Sequence, residues 1–315
     1  MIVVLVGPTA VGKSALALAV ASRLGSTGVP AEIVNADSML VYRGMDIGTA
    51  KPSLAERAGV PHHLLDILDI TDTATVAEFQ RLARAAIADC RHRSVVPILV
   101  GGSALYVRAI VDDFEFPGTD PALRAQLEAE LAAVGAERMH ARLASGDPGA
   151  AAQIEPANGR RIVRAMEVGL LTGKPYNAQL PSRTYRLPGV TQIGLDLDRP
   201  SLDIRIAQRV QRMWAEGFVD EVRRLAAAGL RQGVTASRAL GYRQVLQFLD
   251  GQISEEQAQD LTISATRRFA RRQDSWFRKD ERIRWLPALS PTLVDQAYAL
   301  VGSHPGHESV GPAKA

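Results

Sequence analysis

The sequence predicts an α/β fold: a parallel sheet flanked by helices, with an all-helical insertion. Three observations carry this. Short β-branched runs alternate with helix-periodic segments along the first third of the chain. A glycine-rich loop follows the first run directly and opens a helix. Beyond about Val111 a long stretch has helical spacing and no strand signal.

The elements follow in order. "IVVLV" reads as a buried strand, bounded by Gly7 and Pro8. "KSALALAVASRLG" reads as a helix ending at Gly25. "AEIVNADS" is a second strand with a polar cluster at its carboxyl end. "VAEFQRLARAAIADCRHR" places Phe79, Leu82 and Ala86 on one helical face, and "SVVPILVGGS" is a third buried strand closed by two glycines. Strand, helix, strand, helix, strand at this spacing implies a parallel sheet with helices on both faces. Ligands bind at the carboxyl ends of such strands, which are Gly7 to Ser14, Asp37 to Tyr42 and Gly101 to Ser103.

Residues 112–188 read as the helical insertion. "LRAQLEAELAAVGAERMHARLA" sets Leu123, Leu127, Leu131 and Val134 at helical spacing, and "NGRRIVRAMEVGLLTGK" is a helix stopped near Gly173. "VTQIGLDLD" then resumes a strand that rejoins the sheet. The core is thus expected to comprise 1–111 and 189–301, mostly helical toward Leu286, with a disordered Gly/Pro/Ser/His-rich tail at 302–315.

Composition narrows the class. The chain has 315 residues, 46% hydrophobic and 23% charged, as in ordinary globular proteins. No run of about 18 apolar residues suggests a membrane span. "MIVVLVG" lacks a basic leader and runs straight into the loop, so no secretory signal is expected. Cys90 is the single cysteine, which excludes an internal disulfide. The cytosol is the expected compartment. Net charge is only +3, but from Asp260 to Arg284 eight basic residues face four acids. That stretch is either a polyanion footprint or a solvated helix face.

"GPTAVGKS", Gly7 to Ser14, fits the phosphate-loop pattern of nucleotide-binding α/β proteins. Gly7 and Gly12 let the backbone turn. The N–H groups along Pro8, Thr9, Ala10 and Val11 can then converge on one anion, Pro8 itself lending shape but no donor. Lys13 adds a point charge, the Ser14 hydroxyl can ligate Mg²⁺, and the helix dipole points the same way. A small-molecule kinase or ATPase would use such a loop, but the end of "VVPILV" offers no acid for a metal. Asp37, at the end of the second strand, could bind Mg²⁺, accept a proton or cap the next turn.

The chain resembles the tRNA dimethylallyltransferases, also called tRNA isopentenyltransferases, of the bacterial type. The resemblance runs from Gly7 to about Leu286. It rests on "GPTAVGKS", "DSMLVYRGMDIGTAKP", "PHHLLDILD", "VGGSALYVRAI", "RRIVRAMEVGLLTGKP", "RIAQRVQRMWAEGFVDEV", "ALGYRQ" and "RRFARRQDSWFR". The resemblance implies a P-loop NTPase-like core and a helical insertion that contacts tRNA. It implies transfer of a dimethylallyl group from dimethylallyl diphosphate to N6 of the adenosine 3′ of the anticodon, with release of diphosphate. The loop would then hold a prenyl diphosphate in place of a nucleotide, with Mg²⁺ as cofactor and one chain as the working unit.

By family position Asp37 is the base, Lys13 and Arg205 act on the diphosphate, and Thr9 orients base or diphosphate. Arg209, one turn on, reads as a helper or a surface charge. Asp37, Ser38, Met39 and Leu40 would line the base channel, with Ser103 and Arg124 nearby. Arg160, Arg161, Arg164, Arg238, Gly241, Tyr242 and Arg243 would grip the anticodon loop. Leu40 stands where the family often has Gln, and Ser14 and Ser103 where it often has Thr. In the late basic segment, Arg267, Arg268, Arg271 and Arg272 form one stripe, and Ala265, Phe269 and Trp276 mark the apolar face for docking. His62 and His63 read as loop structure, Cys90 as a small apolar residue, Asp66 and Asp69 as structural, and Trp214 and Phe218 as core. Two rivals remain: a metabolite kinase, and a nucleotide-switched RNA-binding protein without chemistry.

Overall fold

The computed structural model describes residues 1–176 and 182–302. In chain order the elements begin β1 (Ile2–Val6), α1 (Lys13–Ser26), β2 (Ala31–Asn35), β3 (His62–His63), α2 (Val76–His92), β4 (Val96–Val100) and α3 (Ala104–Val111). Four helices follow: α4 (Pro121–Val134), α5 (Ala136–Gly146), α6 (Pro148–Ala151) and α7 (Gly159–Thr172). The chain continues through β5 (Val190–Asp196), α8 (Arg199–Ala215), α9 (Phe218–Ala227), α10 (Tyr242–Leu249), α11 (Glu255–Phe277), β6 (Ile283–Pro287) and α12 (Leu293–Gly302).

The strands form one sheet in the order β3-β2-β4-β1-β5-β6, every pair parallel. All five residues of β1 are buried, because both faces are covered. Ile2, Val4 and Val6 pack with Phe79, Ala83 and Ile87 of α2 and with Ile110 of α3. Val3 and Leu5 point the other way, toward Leu16, Val20 and Leu24 of α1 and Val301 of α12. Each of the larger side chains contributes about 1.5–3 kcal/mol of burial. Helix ends follow local chemistry: Thr75 caps α2 by accepting from Glu78 N–H, and Gly173 ends α7 in the left-handed conformation.

Three expectations are corrected. His62 and His63 form a short edge strand on β2, not a loop. Ile283–Pro287 is a strand on β5 inside the segment read as helical. The strand in "AEIVNADS" stops at Asn35, whose side chain bonds to Asp37 and Leu64 and turns the backbone out of the ladder. The 302–315 tail, apart from Gly302, lies outside the described residues.

The chain divides into two compact units: Met1–Asp112 with the chain from Tyr185 onward, and Asp113–Thr184. The insertion so drawn is shorter at its far end than 112–188. Tyr185 belongs to the core, bridging Asp112 and taking a hydrogen bond from Gln192 at 2.8 Å. Asp112 is fully buried there between Arg108 and Arg282. The second unit has its own core of Leu127, Met139, Leu143, Ile162, Val163 and Met166. Beside that core, the buried Glu167 takes bonds from Thr119, Arg124 and Arg164. No described helix is long and apolar enough to cross a membrane.

Candidate active site

The phosphate loop joins β1 to α1 at the carboxyl edge of the sheet. Gly7 has φ 141° and Gly12 φ 111°, conformations that a side chain would strain. Ala10 nevertheless stands at φ 65°, a cost of about 1–2 kcal/mol concentrated in this loop. Lys13 folds back on the loop, donating to the carbonyls of Gly7 at 2.9 Å and Pro8 at 2.7 Å. Loss of water, and then Arg209, draw its pKa down to about 7 against the opposing pull of Asp37. Ser14 is exposed in the first turn of α1, and its hydroxyl has no hydrogen-bond partner among the described residues. A free oxygen donor at that place fits a hard cation such as Mg²⁺.

Asp37 follows β2 and is half-buried. Asn35 Oδ1 accepts its N–H at 2.8 Å, and Asn35 Nδ2 donates to its carbonyl at 2.9 Å. Its own Oδ1 accepts from Met39 N–H at 2.9 Å, so it does cap the next turn. The second carboxylate oxygen is free of protein hydrogen bonds among the described residues and can serve a ligand.

The segment after Asp37 is pinned by buried charge. Lys51 donates to Tyr42 O and pairs with Asp46 and Asp66. Glu221, in the first turn of α9, accepts from the N–H groups of Asp46, Ile47 and Gly48 and from the Tyr242 hydroxyl. Tyr242 is therefore a core residue with no exposed surface, and the expectation that it grips RNA is corrected. Burial, then the Glu221 carboxylate, holds its phenol well above the usual range.

A cavity of about 440 Å³ opens at this edge. Its polar lining includes Thr9, Asp37, Ser38, Ser103 and Arg209. Its apolar lining includes Ile206, Val210 and Met213 of α8 with Phe218 and Phe269, and Gly241, Arg238 and Arg272 also line it. Phe218 is thus both core and wall. The volume suits a small-molecule site. Both arginines of "RIAQRV" reach the loop. Arg205 Nη1 approaches Val11 O at 3.4 Å; Arg209 donates to Thr9 Oγ1 at 3.4 Å and to Thr49 O at 3.2 Å. Only Arg209 belongs to the described cavity wall. Desolvation lowers its pKa, while Asp37 opposes.

Other expected residues are dispersed. Met39 lines the cavity, and Leu40 is half-buried with its carbonyl taken by Asp66 N–H. Arg238 and Arg243 are exposed beside a second, open cleft of about 370 Å³. Arg160 and Arg161 are exposed on the first turn of α7, whereas Arg124 and Arg164 are engaged by Glu167. In the basic stripe, Arg267 and Arg271 lean on Asp203, and Arg272 lines the cavity. Trp276 does not dock; it is 47% exposed, and the buried face of α11 is Ala258, Thr262, Ala270, Gln273 and Phe277. That face includes two polar residues, which is why apolar spacing misses it. His63 and Cys90 both bond to Glu32, but Arg93 grips the same carboxylate with two bonds of 2.7 Å. Burial and then Glu32 push the thiol up to about 12, so this cluster is a structural staple.

A family model described as IPP transferase matches residues 40–280. The chain belongs to this family. Its IPP transferase relatives include a tRNA dimethylallyltransferase of Thermobifida fusca, 61% identical over 96% of this chain and 95% of that protein. One of Kineococcus radiotolerans is 61% identical over 91% of this chain and 90% of its own length. Among solved structures, a full-length tRNA isopentenylpyrophosphate transferase from Bacillus halodurans superposes with TM-score 0.69 at 38% identity, covering 96% and 95% of the two chains. A eukaryotic dimethylallyltransferase acting on tRNA gives TM-score 0.78 at 25% identity, covering 95% of this chain and 76% of that one. The IPP transferase match starts at Leu40, so the phosphate loop and Asp37 stand just before it.

Proposed function

We propose that the chain transfers the dimethylallyl group of dimethylallyl diphosphate to N6 of the adenosine 3′-adjacent to the anticodon in tRNA, releasing diphosphate. The observation that carries this is one cavity lined both by polar groups, Thr9, Asp37 and Arg209, and by apolar ones, Val210, Met213 and Phe218. A prenyl diphosphate has an anionic head and an apolar tail, and the wall suits both.

The allylic C–O bond breaks with its electron pair leaving on the diphosphate, and the allylic carbon tolerates the positive character. N–H groups of the loop, Lys13, Arg205 and Arg209 stabilise the charge that builds on the departing group. The Ser14 hydroxyl would help hold Mg²⁺, which when bound would supply further charge neutralisation. The N6 lone pair forms the new C–N bond, and the N6 proton passes to the free oxygen of Asp37, a contribution of about 10²–10⁴ in rate. The adenine must first be splayed from its loop. Ser38, Met39 and Ser103 flank the point where it would enter, and Arg160, Arg161, Arg238 and Arg243 would hold RNA phosphates. In this reading one chain is the working unit and a tRNA acceptor is in keeping with the cytoplasm.

Purified protein, unmodified tRNA and either dimethylallyl diphosphate or ATP, followed by nucleoside mass spectrometry, tests this. Prenylated adenosine should appear with the prenyl donor alone. ATP consumption without a modified nucleoside would favour a kinase instead.

A further inference from the structure

Gln273 lies on α11, four residues beyond Phe269, and is 6% exposed. Its amide is used at both ends. Oε1 accepts the N–H of Thr9 at 2.9 Å, and Nε2 donates to the carbonyl of Gly102 at 2.7 Å. Thr9 belongs to the loop after β1, and Gly102 to the turn after β4 that leads into Ser103. β1 and β4 are adjacent strands. One side chain from a distant helix therefore clamps the two strand ends that carry the site. Gly102 makes the approach possible: a Cβ there would lie 2.3 Å from Nε2.

We propose that Gln273 is a positioning residue that sets the phosphate loop against the Ser103 turn and confines anion binding to the loop N–H groups beyond Thr9. The Thr9 N–H is already donated, so it is unavailable to a diphosphate, and the Thr9 side chain is left facing Arg209. Removing the amide strands a part-buried donor and a buried acceptor together and lets the two turns drift apart. A displacement of about 1 Å at a reacting centre costs on the order of 10²-fold in rate. The same amide joins the loop to the helix that carries Phe269 and Arg272 in the cavity wall. The activity readout rests on the prenyl-transfer reading; the anion readout does not.

The test uses Gln273→Met, which removes both bonds, and Gln273→Glu, which keeps an acceptor for Thr9 N–H but loses the donor and adds negative charge. Gly102→Ala serves as an independent way to expel the amide. Inorganic pyrophosphate binding is measured by calorimetry, and prenyl transfer with donor and tRNA each varied in turn. Gln273→Met should weaken pyrophosphate binding and lower kcat/KM for the donor by about ten- to hundredfold, with KM for tRNA changed less than about twofold. Gly102→Ala should reproduce that split, and Gln273→Glu should bind pyrophosphate more weakly still, which keeps the test decisive if the Met variant does not fold. Pyrophosphate binding within about twofold of the unaltered protein, or equal losses for donor and tRNA, would overturn the proposal. If the unaltered protein transfers no prenyl group while pyrophosphate binding follows the expected order, the reading fails and the positioning role stands.

Discussion

Asn35 holds the Asp37 peptide from both sides, accepting its N–H at 2.8 Å and donating to its carbonyl at 2.9 Å. The carboxylate is aimed by its neighbour two residues back as much as by the strand. Asp37→Ala should cut turnover by at least about 10²-fold and leave tRNA affinity intact. Asn35→Ala should cost about tenfold or more by releasing the aim. Single-turnover transfer and filter binding measure both; near-normal turnover in Asp37→Ala removes it from the base role.

Lys13 should make pyrophosphate binding pH-dependent. Its pKa of about 7 in the free protein must rise beside a diphosphate, so binding takes up a proton. Affinity is then full below pH 7 and lost as pH rises through 7 toward the bound-state pKa, by up to about tenfold per pH unit. Calorimetry with pyrophosphate across that range should show the slope, and Lys13→Ala should bind weakly and without it.

Arg209 and Arg205 should separate. Arg209 touches Thr9 and lines the cavity, whereas among the described residues Arg205 reaches only the Val11 carbonyl, at 3.4 Å. Arg209→Ala should lower kcat/KM for the donor by about 10²–10³, the scale of a lost preorganised donor. Arg205→Ala should cost less. Arg209→Lys should recover little, since one ammonium cannot span Thr9 and Thr49. The reverse order in donor kinetics would shift the role to Arg205.

Glu167 should make the insertion acid-sensitive. Burial raises its pKa, but the bonds from Arg124, Thr119 and Arg164 outweigh that and bring it to about 2, against 4.5 for a free carboxyl. A depressed carboxyl pKa adds stability present above the unfolded value and lost as pH falls through the folded one. About 3 kcal/mol should thus disappear between about pH 4.5 and 2. Glu167→Gln should remove a similar amount at neutral pH, read as a lower urea midpoint.

The basic helix should divide in salt titrations. Arg267 and Arg271 lie 3.9 and 3.6 Å from Asp203, whereas Arg272 faces the cavity and Arg268 is exposed. Arg268→Ala and Arg272→Ala should each reduce the salt slope of tRNA binding by about 1, and Arg267→Ala by less. A slope unchanged in all three variants would turn this helix away from RNA.

Legibility followed locality. β1 was readable because burial on both faces demands an unbroken β-branched run. β3 was not, since two histidines become a strand only by pairing with Ile33 and Val34. β6 was hidden for the same reason, its charged Arg284 tolerated on a strand with β5 as its partner. Tyr242 looked like an RNA contact within its motif. Its hydroxyl goes instead to Glu221, an acceptor that the motif does not contain.

The sequence by itself determined the phosphate loop, the carboxylate at the next strand's end and the parallel sheet beneath them. Each depends on residues a few positions apart, where backbone geometry leaves few options. Tertiary structure alone decided that Gln273 reaches Thr9 across 264 positions, that Arg209 rather than Arg205 lines the cavity, and that Arg124 and Arg164 serve a buried carboxylate. Those choices depend on which buried donors and acceptors remain unpaired once the elements pack, and that is set by the whole fold.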